Sequence, residues 1–423
     1  MAPVAAMPGS GHGDDAPDRP PSRRARVVTA PSVPFDLDRA RRETPACVRH
    51  AHLNNAGAAL LPAPVVDAVR GHLDAEVELG GYEAAELAGD AHDRARSSIA
   101  SLVGAGPDEI ALTDSATRAW VSAFTAIRFR PGDRIVTSSS EYASNAIAYL
   151  QAAERDGVEI VTVPNDAAGA LSIDDLRRVL DERVRLVSVT HVPTSSGLVN
   201  DVAAVGAIVA DTDALYLVDA CQSVGQMPID VSAIGCHLLS ATGRKYLRAP
   251  RGTGFLYVDR RRLDDLRPRA ADLHSASWTG EGTYELAPDA RRFELWEHNI
   301  AGVLGLGAAA DYARGWGIDD TYARITLLAD DLRGRLADVA GVTVRDVGSE
   351  RCGIVTFTVE GRSAADVTRA VRDHRVHIWH VEAQASRSDM TERGLAEVNR
   401  ASVHYYNTAA ELDALCAALA AAR

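Results

Sequence analysis

One side chain in this sequence offers an amine for covalent chemistry. Of the 45 basic residues among 423, 44 are arginine, and Lys245 is the only lysine. In an alanine- and arginine-rich chain, arginine serves wherever a positive charge suffices. A Schiff base needs an amine that can lose its proton, and a guanidinium cannot supply one. Lys245 sits in Leu239-Ser-Ala-Thr-Gly-Arg-Lys-Tyr246, just before the glycine-punctuated Pro250-Arg-Gly-Thr-Gly254. About one strand–helix–strand step upstream, Asp219 closes an apolar run in Val218-Asp-Ala-Cys-Gln222. A third string, Asp114-Ser-Ala-Thr117, reads as a strand-to-helix junction. Together these meet three needs of pyridoxal phosphate: an amine for its aldehyde carbon, a carboxylate for its pyridine nitrogen, and a helix N-terminus with hydroxyls for its phosphate.

Such residues must be held at one edge of a parallel sheet, where α/β proteins bind ligands. Short apolar strands are predicted at 109–113, 134–138, 158–163, 186–191, 215–219, 238–241 and 254–258, alternating with helices at 62–78, 90–103, 117–127, 142–155 and 202–210. That alternation predicts an α/β fold with a mostly parallel sheet covered on both faces. A long helical stretch over 300–337 follows. Strands are then expected at 342–346, 353–359, 376–379 and 401–405, with helices at 364–373 and 409–422. The organisation reads as a disordered tail over 1–34, an N-terminal segment and large domain over 35–310, and a smaller α+β domain over 311–423. Gly302-Val-Leu-Gly-Leu-Gly307 lacks a preceding strand, so it reads as small-residue helix packing, not a dinucleotide loop.

Seven strings occur in one order: Leu53-Asn-Asn-Ala-Gly57, Asp114-Ser-Ala-Thr117, Ser140-Glu-Tyr142, Thr190-His-Val-Pro-Thr194, Val218-Asp-Ala-Cys-Gln222, Thr242-Gly-Arg-Lys245 and Arg400-Ala-Ser-Val-His-Tyr-Tyr-Asn407. In this order the chain, from about His52 onward, resembles the class V aminotransferase-like enzymes of fold type I. That group includes cysteine desulfurases, isopenicillin-N-epimerase-like proteins and C–S lyases of ergothioneine and lincosamide type. The resemblance implies a seven-stranded-type large domain and a homodimer. It implies that Lys245 carries the cofactor and moves the substrate's α-proton. Asp219 would pair with the pyridine nitrogen, Gln222 with the phenolic oxygen, and Tyr142 would stack on the ring. Ala116, Thr117, Thr242 and Arg244 would hold the phosphate, Arg244 standing where desulfurases usually have histidine. Thr194 replaces the asparagine that desulfurases place near the phenolic oxygen. Arg400 would grip the substrate carboxylate, with Asn55 crossing the substrate site. Trp379 and His380 are the specificity candidates, with His377 and Gln384 beside them.

The reaction follows less directly. Persulfide-forming desulfuration needs a mobile cysteine before the final strands, yet residues 376–390 contain none. Cys352 and Cys416 read as packing residues. The expected function is therefore a pyridoxal-phosphate lyase cleaving the C–S bond of an amino acid or S-cysteine conjugate by β-elimination, in sulfur or antibiotic-related secondary metabolism. The alternative is an aminotransferase, an epimerase, or an oxidative, decarboxylating or deaminating enzyme on a related amino acid. A non-enzymatic regulator would need an effector domain, and the 34-residue tail is too short for one. The net charge of −13 argues against nucleic-acid and membrane-surface partners. Five cysteines without a CxxC pair fit a reducing cytoplasm. Thirteen histidines with no HExxH and no convergent triplet predict no metal site.

Overall fold

The structure, a computed structural model, describes residues 35–421; the tail expected at 1–34 lies outside the described residues. Seven strands form the large sheet, in the order Ile110–Thr113, Gly254–Val258, Leu238–Thr242, Leu215–Asp219, Val184–Thr190, Arg134–Ser138 and Glu159–Val163. The last five run parallel to one another, while Gly254–Val258 is antiparallel to both its neighbours. Leu215–Asp219, Leu238–Thr242 and Gly254–Val258 are buried at every position. Unbroken apolar runs of this kind are what a sheet covered on both faces requires. The expected α/β fold of type I is borne out.

Local chemistry sets the sheet's ligand-binding edge. Ser115 caps the helix Ala116–Ala126 by accepting from the Arg118 amide at 3.1 Å. A Cβ on Gly254 would lie 2.6 Å from the Ser115 carbonyl carbon and 2.7 Å from the Ala116 nitrogen. Glycine there lets the antiparallel strand press against the helix start. Trp120, Phe124 and Tyr149 pack together behind this edge, with ring centroids 4.9 to 5.6 Å apart. Burying each such side chain contributes roughly 1.5–3 kcal/mol.

A second, four-stranded antiparallel sheet has the order Val342–Val344, Ile354–Val359, Glu397–Ser402 and Trp379–Glu382. Three expectations change here. The strand expected at 401–405 lies at Glu397–Ser402, because the polar Asn399 and Arg400 are buried in the sheet and not in a preceding loop. The strand expected at 376–379 divides at the buried Ile378. Val376–His377 pairs in parallel with Ala51–His52, and Trp379–Glu382 joins the second sheet. The helical stretch from 300 breaks at Gly317, whose φ of 77° ends Ile300–Trp316 before Ile318–Asp338 begins. The glycines of 302–307 do serve helix packing: a Cβ on Gly307 would lie 2.5 Å from the Ala95 Cβ in Gly89–Val103. An exposed hairpin, Ala276–Gly280 with Thr283–Leu286, carries no strong sequence signal and was not expected.

Candidate active site

The floor of the site is a buried carboxylate. Asp219 ends its strand, and its Oδ1 accepts from the Cys221 amide at 3.0 Å. Its Oδ2 accepts from Asn145 Nδ2 at 3.1 Å. The same amide nitrogen donates to Glu141 Oε1 at 2.9 Å. Glu141 is itself buried and also accepts from the Tyr142 amide, Thr137, Tyr149 and Thr190. Burial raises the Glu141 pKa and nearby Asp219 adds to the rise, while the Thr190 and Asn145 donors oppose it.

Above this floor a cleft of about 560 Å³ is lined by Ala116, Thr117, Tyr142, Thr190, Thr194, Asp219, Cys221, Gln222, Thr242, Arg244 and Lys245. The helix Ala116–Ala126 presents its N-terminus to the cleft, the usual backbone site for an anion. Arg244 reaches the Gly57 carbonyl, and the Arg244 carbonyl accepts from the Ala59 amide at 2.9 Å. This pair ties the N-terminal segment over the cleft. Gln222 donates to the Ala56 carbonyl at 3.2 Å. Burial lowers the Lys245 pKa, against the opposing pull of Cys221 and Asp219.

This cleft opens into a wider one of about 1190 Å³, sharing Tyr142, Thr194, Arg244 and Lys245 and adding Asn54, Trp379, His380, Glu382, Gln384 and Arg400. Cross-strand register sets Arg400 directly opposite Trp379 on one side and Thr356 on the other. Arg400 Nη1 donates to the Thr194 hydroxyl and, at 3.4 Å, to its carbonyl. Burial lowers the Arg400 pKa to about 10. Trp379 is 44% exposed and stacks on His380 with ring centroids 5.3 Å apart.

Twelve of the thirteen residues expected at the site therefore line these two clefts; Asn55 does not. Asn55 is fully buried, and its amide donates to the Ser402 carbonyl at 2.7 Å while its oxygen accepts from Tyr406. Its neighbour Asn54 faces the outer cleft, because alternate residues of an extended segment face opposite sides. Glu141 and Asn145 were not assigned to the site from sequence. The signal available for them was a glutamate with an asparagine one helical turn later, a spacing that brings both to one face.

The same segment brings together a group that sequence spacing did not foresee. Parallel pairing of Ala51–His52 with Val376–His377 sets His52 opposite His377, and the ring nitrogens of His50, His52 and His377 lie within 4.8 Å of one another. The expectation of no convergent histidine triplet is corrected: the convergence arises between segments more than three hundred positions apart.

The donor set fits pyridoxal phosphate. Among the described residues no hydrogen bond or ion pair engages the Lys245 amine, and Gln222 Oε1 and Arg400 Nε are buried without a partner. Orphaned polar atoms of this kind are costly unless a ligand satisfies them. An amine, a buried carboxylate and a helix N-terminus around one cleft in this fold define a pyridoxal-phosphate enzyme of fold type I.

Residues 51–415 match the aminotransferase class-V family, and the chain belongs to it. A probable cysteine desulfurase of Methanothermobacter thermautotrophicus is 32% identical over 381 residues, covering 89% of this chain and 95% of the relative. A cysteine desulfurase of Dickeya dadantii is 30% identical over 403 residues, covering 91% and 96%. The apo structure of a cysteine desulfurase from Thermococcus onnurineus superposes with a TM-score of 0.84 at 25% identity, covering 93% of this chain and 99% of that one. No helix among the described residues is long and apolar enough to cross a membrane.

Proposed function

We propose that this enzyme cleaves the C–S bond of an S-cysteine conjugate by β-elimination, and is not a persulfide-forming desulfurase. The observation that carries the reading is the lining of the outer cleft, which includes Arg400, Trp379, His380 and Gln384 but none of the five cysteines. Cys221 is half-buried on the wall of the inner cleft beside Asp219, and burial, with Asp219, pushes its thiol pKa far up. A thiol held protonated there is a poor sulfur acceptor. The segment where an acceptor cysteine would ride is folded into the helix Arg387–Glu392, with Asp389 buried.

Each residue's part follows from its chemistry. Pyridoxal phosphate bound through Lys245 supplies the electron sink for the pair released at the substrate's α-carbon. Asp219 would hold the proton of the pyridine nitrogen. The amides of Ala116 and Thr117, with Thr242 and Arg244, would hold the phosphate. Tyr142 would stack on the ring, and Gln222 and Thr194 would meet the phenolic oxygen. Arg400, whose side chain among the described residues bonds only Thr194 and no carboxylate, would hold the substrate carboxylate through its planar fork. The Lys245 amine, set free when the substrate's amine takes its place on the cofactor and less basic through burial, would take the α-proton. The C–S pair departs on the thiolate. With one water, the conjugate ends as pyruvate, ammonia and thiol. Trp379 and His380 meet the sulfur substituent.

The test is incubation with an S-alkyl cysteine, assaying pyruvate, ammonia and thiol in equal amounts. Alanine with sulfide from free cysteine would instead assign desulfuration. Exchange of the α-proton with none of these products would assign epimerisation or transamination.

Residues 311–423 are read as the small domain. A homodimer is part of the same proposal: Leu73, Val77, Tyr82 and Trp296 are 47–87% exposed, and all but Val77 line one groove. A single chain leaves this apolar surface open to water. Light scattering at twice the mass of 45.0 kDa would support it.

A further inference from the structure

We propose that His50, His52 and His377 bind one divalent transition-metal ion of the zinc class, clipping the segment that leads into the cleft to the strand that leads to Trp379. The backbone builds the arrangement. His52 lies in the short strand Ala51–His52, and His50 in the bend that leads into it, with its ring beside that of His52 at 5.9 Å between centroids. The Ala51 amide donates to the Arg375 carbonyl at 3.0 Å and the Leu53 amide to the His377 carbonyl at 2.8 Å, which fixes His377 against His52.

The donors are in a ligand-ready state. His52 Nε2 contacts the Ala58 carbonyl at 2.8 Å, and a carbonyl only accepts, so the hydrogen sits on Nε2. His52 Nδ1 is then a bare lone pair, and it is buried with no partner. Metal-bound histidines have this same arrangement, the second ring nitrogen tied to a backbone carbonyl. The His50 and His377 rings stack with centroids 4.1 Å apart. No hydrogen bond holds either ring among the described residues, so both can turn inward to the nitrogen spacing that zinc–nitrogen bonds of about 2.0–2.1 Å require.

The ligand class follows from the surroundings. Among the described residues the cluster offers imidazole nitrogens alone, with no oxygen ligand among its three members. Imidazole nitrogen donors suit zinc, copper or nickel better than magnesium or calcium, which demand oxygen. The fourth position is left to solvent. The consequence reaches the cleft, because Asn54 and Ala56–Ala58 follow the first segment and Trp379 and His380 follow the second.

The experiment uses the full-length, cofactor-loaded enzyme, stripped with a chelator and titrated with zinc alone against a colorimetric competitor. The expected result is one equivalent per chain with Kd on the order of 1 μM, accompanied by a rise in Tm. His377→Gln and His50→Ala should each weaken binding by more than the roughly 10–100-fold that loss of a supporting group costs. His298→Ala, which disrupts the separate His92–His298 contact of 3.1 Å, should leave that equivalent intact. Two results overturn the proposal: no binding tighter than about 100 μM by the wild type, or tight binding that survives both His50→Ala and His377→Gln. Because the readout is binding and Tm, it stands apart from the reaction the enzyme catalyses.

Discussion

Glu141 lies one side chain away from Asp219: the Asn145 amide donates to both, at 2.9 and 3.1 Å. The carboxylate at the floor of the inner cleft therefore rests on a second buried carboxyl. Asn145→Ala removes a donor from each. A hydrogen bond to a charged group is worth about 1.5–3 kcal/mol, so kcat/KM should fall about 10-fold or more. Cofactor affinity, read by equilibrium dialysis, should fall with it. Glu141→Gln tests the charge of the second carboxyl. Five donors converge on it, and a neutral amide would turn two hydrogens toward them. Glu141→Gln should therefore lower Tm, and an unchanged Tm would contradict the five-donor arrangement.

Lys245→Ala removes the only lysine amine. The purified variant should lose the visible absorbance of covalently held pyridoxal phosphate, and the elimination rate should fall about 10²–10⁴-fold or further, the range for loss of an acid–base group. A coloured, active Lys245→Ala enzyme would end the proposed mechanism.

Arg400→Lys keeps the positive charge but loses the planar fork. KM for the amino-acid substrate should rise at least about 10-fold with a smaller change in kcat, as expected for binding used alike in ground and transition states. Trp379→Ala should instead change the ranking of S-substituents. Steady-state kinetics on a series of S-alkyl cysteines separates the two effects.

Acid stability should depend on Glu294. Burial acts to raise its pKa, but His274 at 2.8 Å, Arg96 and the Leu112 amide at 2.7 Å outweigh it and hold the carboxyl down at about 2, against an ordinary 4.5. A folded pKa below the unfolded one contributes stability that is full above about pH 4.5 and lost as pH falls toward 2, worth on the order of 3 kcal/mol. Denaturant titrations between pH 2 and 6 should show Glu294→Gln less stable at pH 6 and flatter toward acid. An unchanged slope would contradict this assignment.

The large sheet and its cofactor edge were legible in the sequence for a physical reason. Strands buried on both faces must be apolar throughout, so Leu215–Asp219 and Leu238–Thr242 stand out, and the residues that end them are marked by contrast. Lys245 was legible through composition alone. The second sheet was less so, since an inner strand carries two buried polar side chains, Asn399, which donates to the Ala364 carbonyl and Thr368, and Arg400, which lines the outer cleft. Asn55 was misplaced by one position, because alternation along an extended segment is decided by which neighbour finds a backbone partner, here Ser402. The histidine triplet could not be read at all. It exists only through the pairing of Ala51–His52 with Val376–His377.

On the proposed reading, the second sheet also divides recognition into a fixed half and an adjustable half. Arg400 is on an inner strand, bonded on both sides to neighbours, whereas Trp379 and His380 are on the edge strand. Inner strands tolerate little, since each change is felt in two ladders. An edge strand can be rewritten with one ladder at stake. A family built this way can exchange the group attached to sulfur, by natural drift or by design, while the grip on the amino-acid end stays where it is.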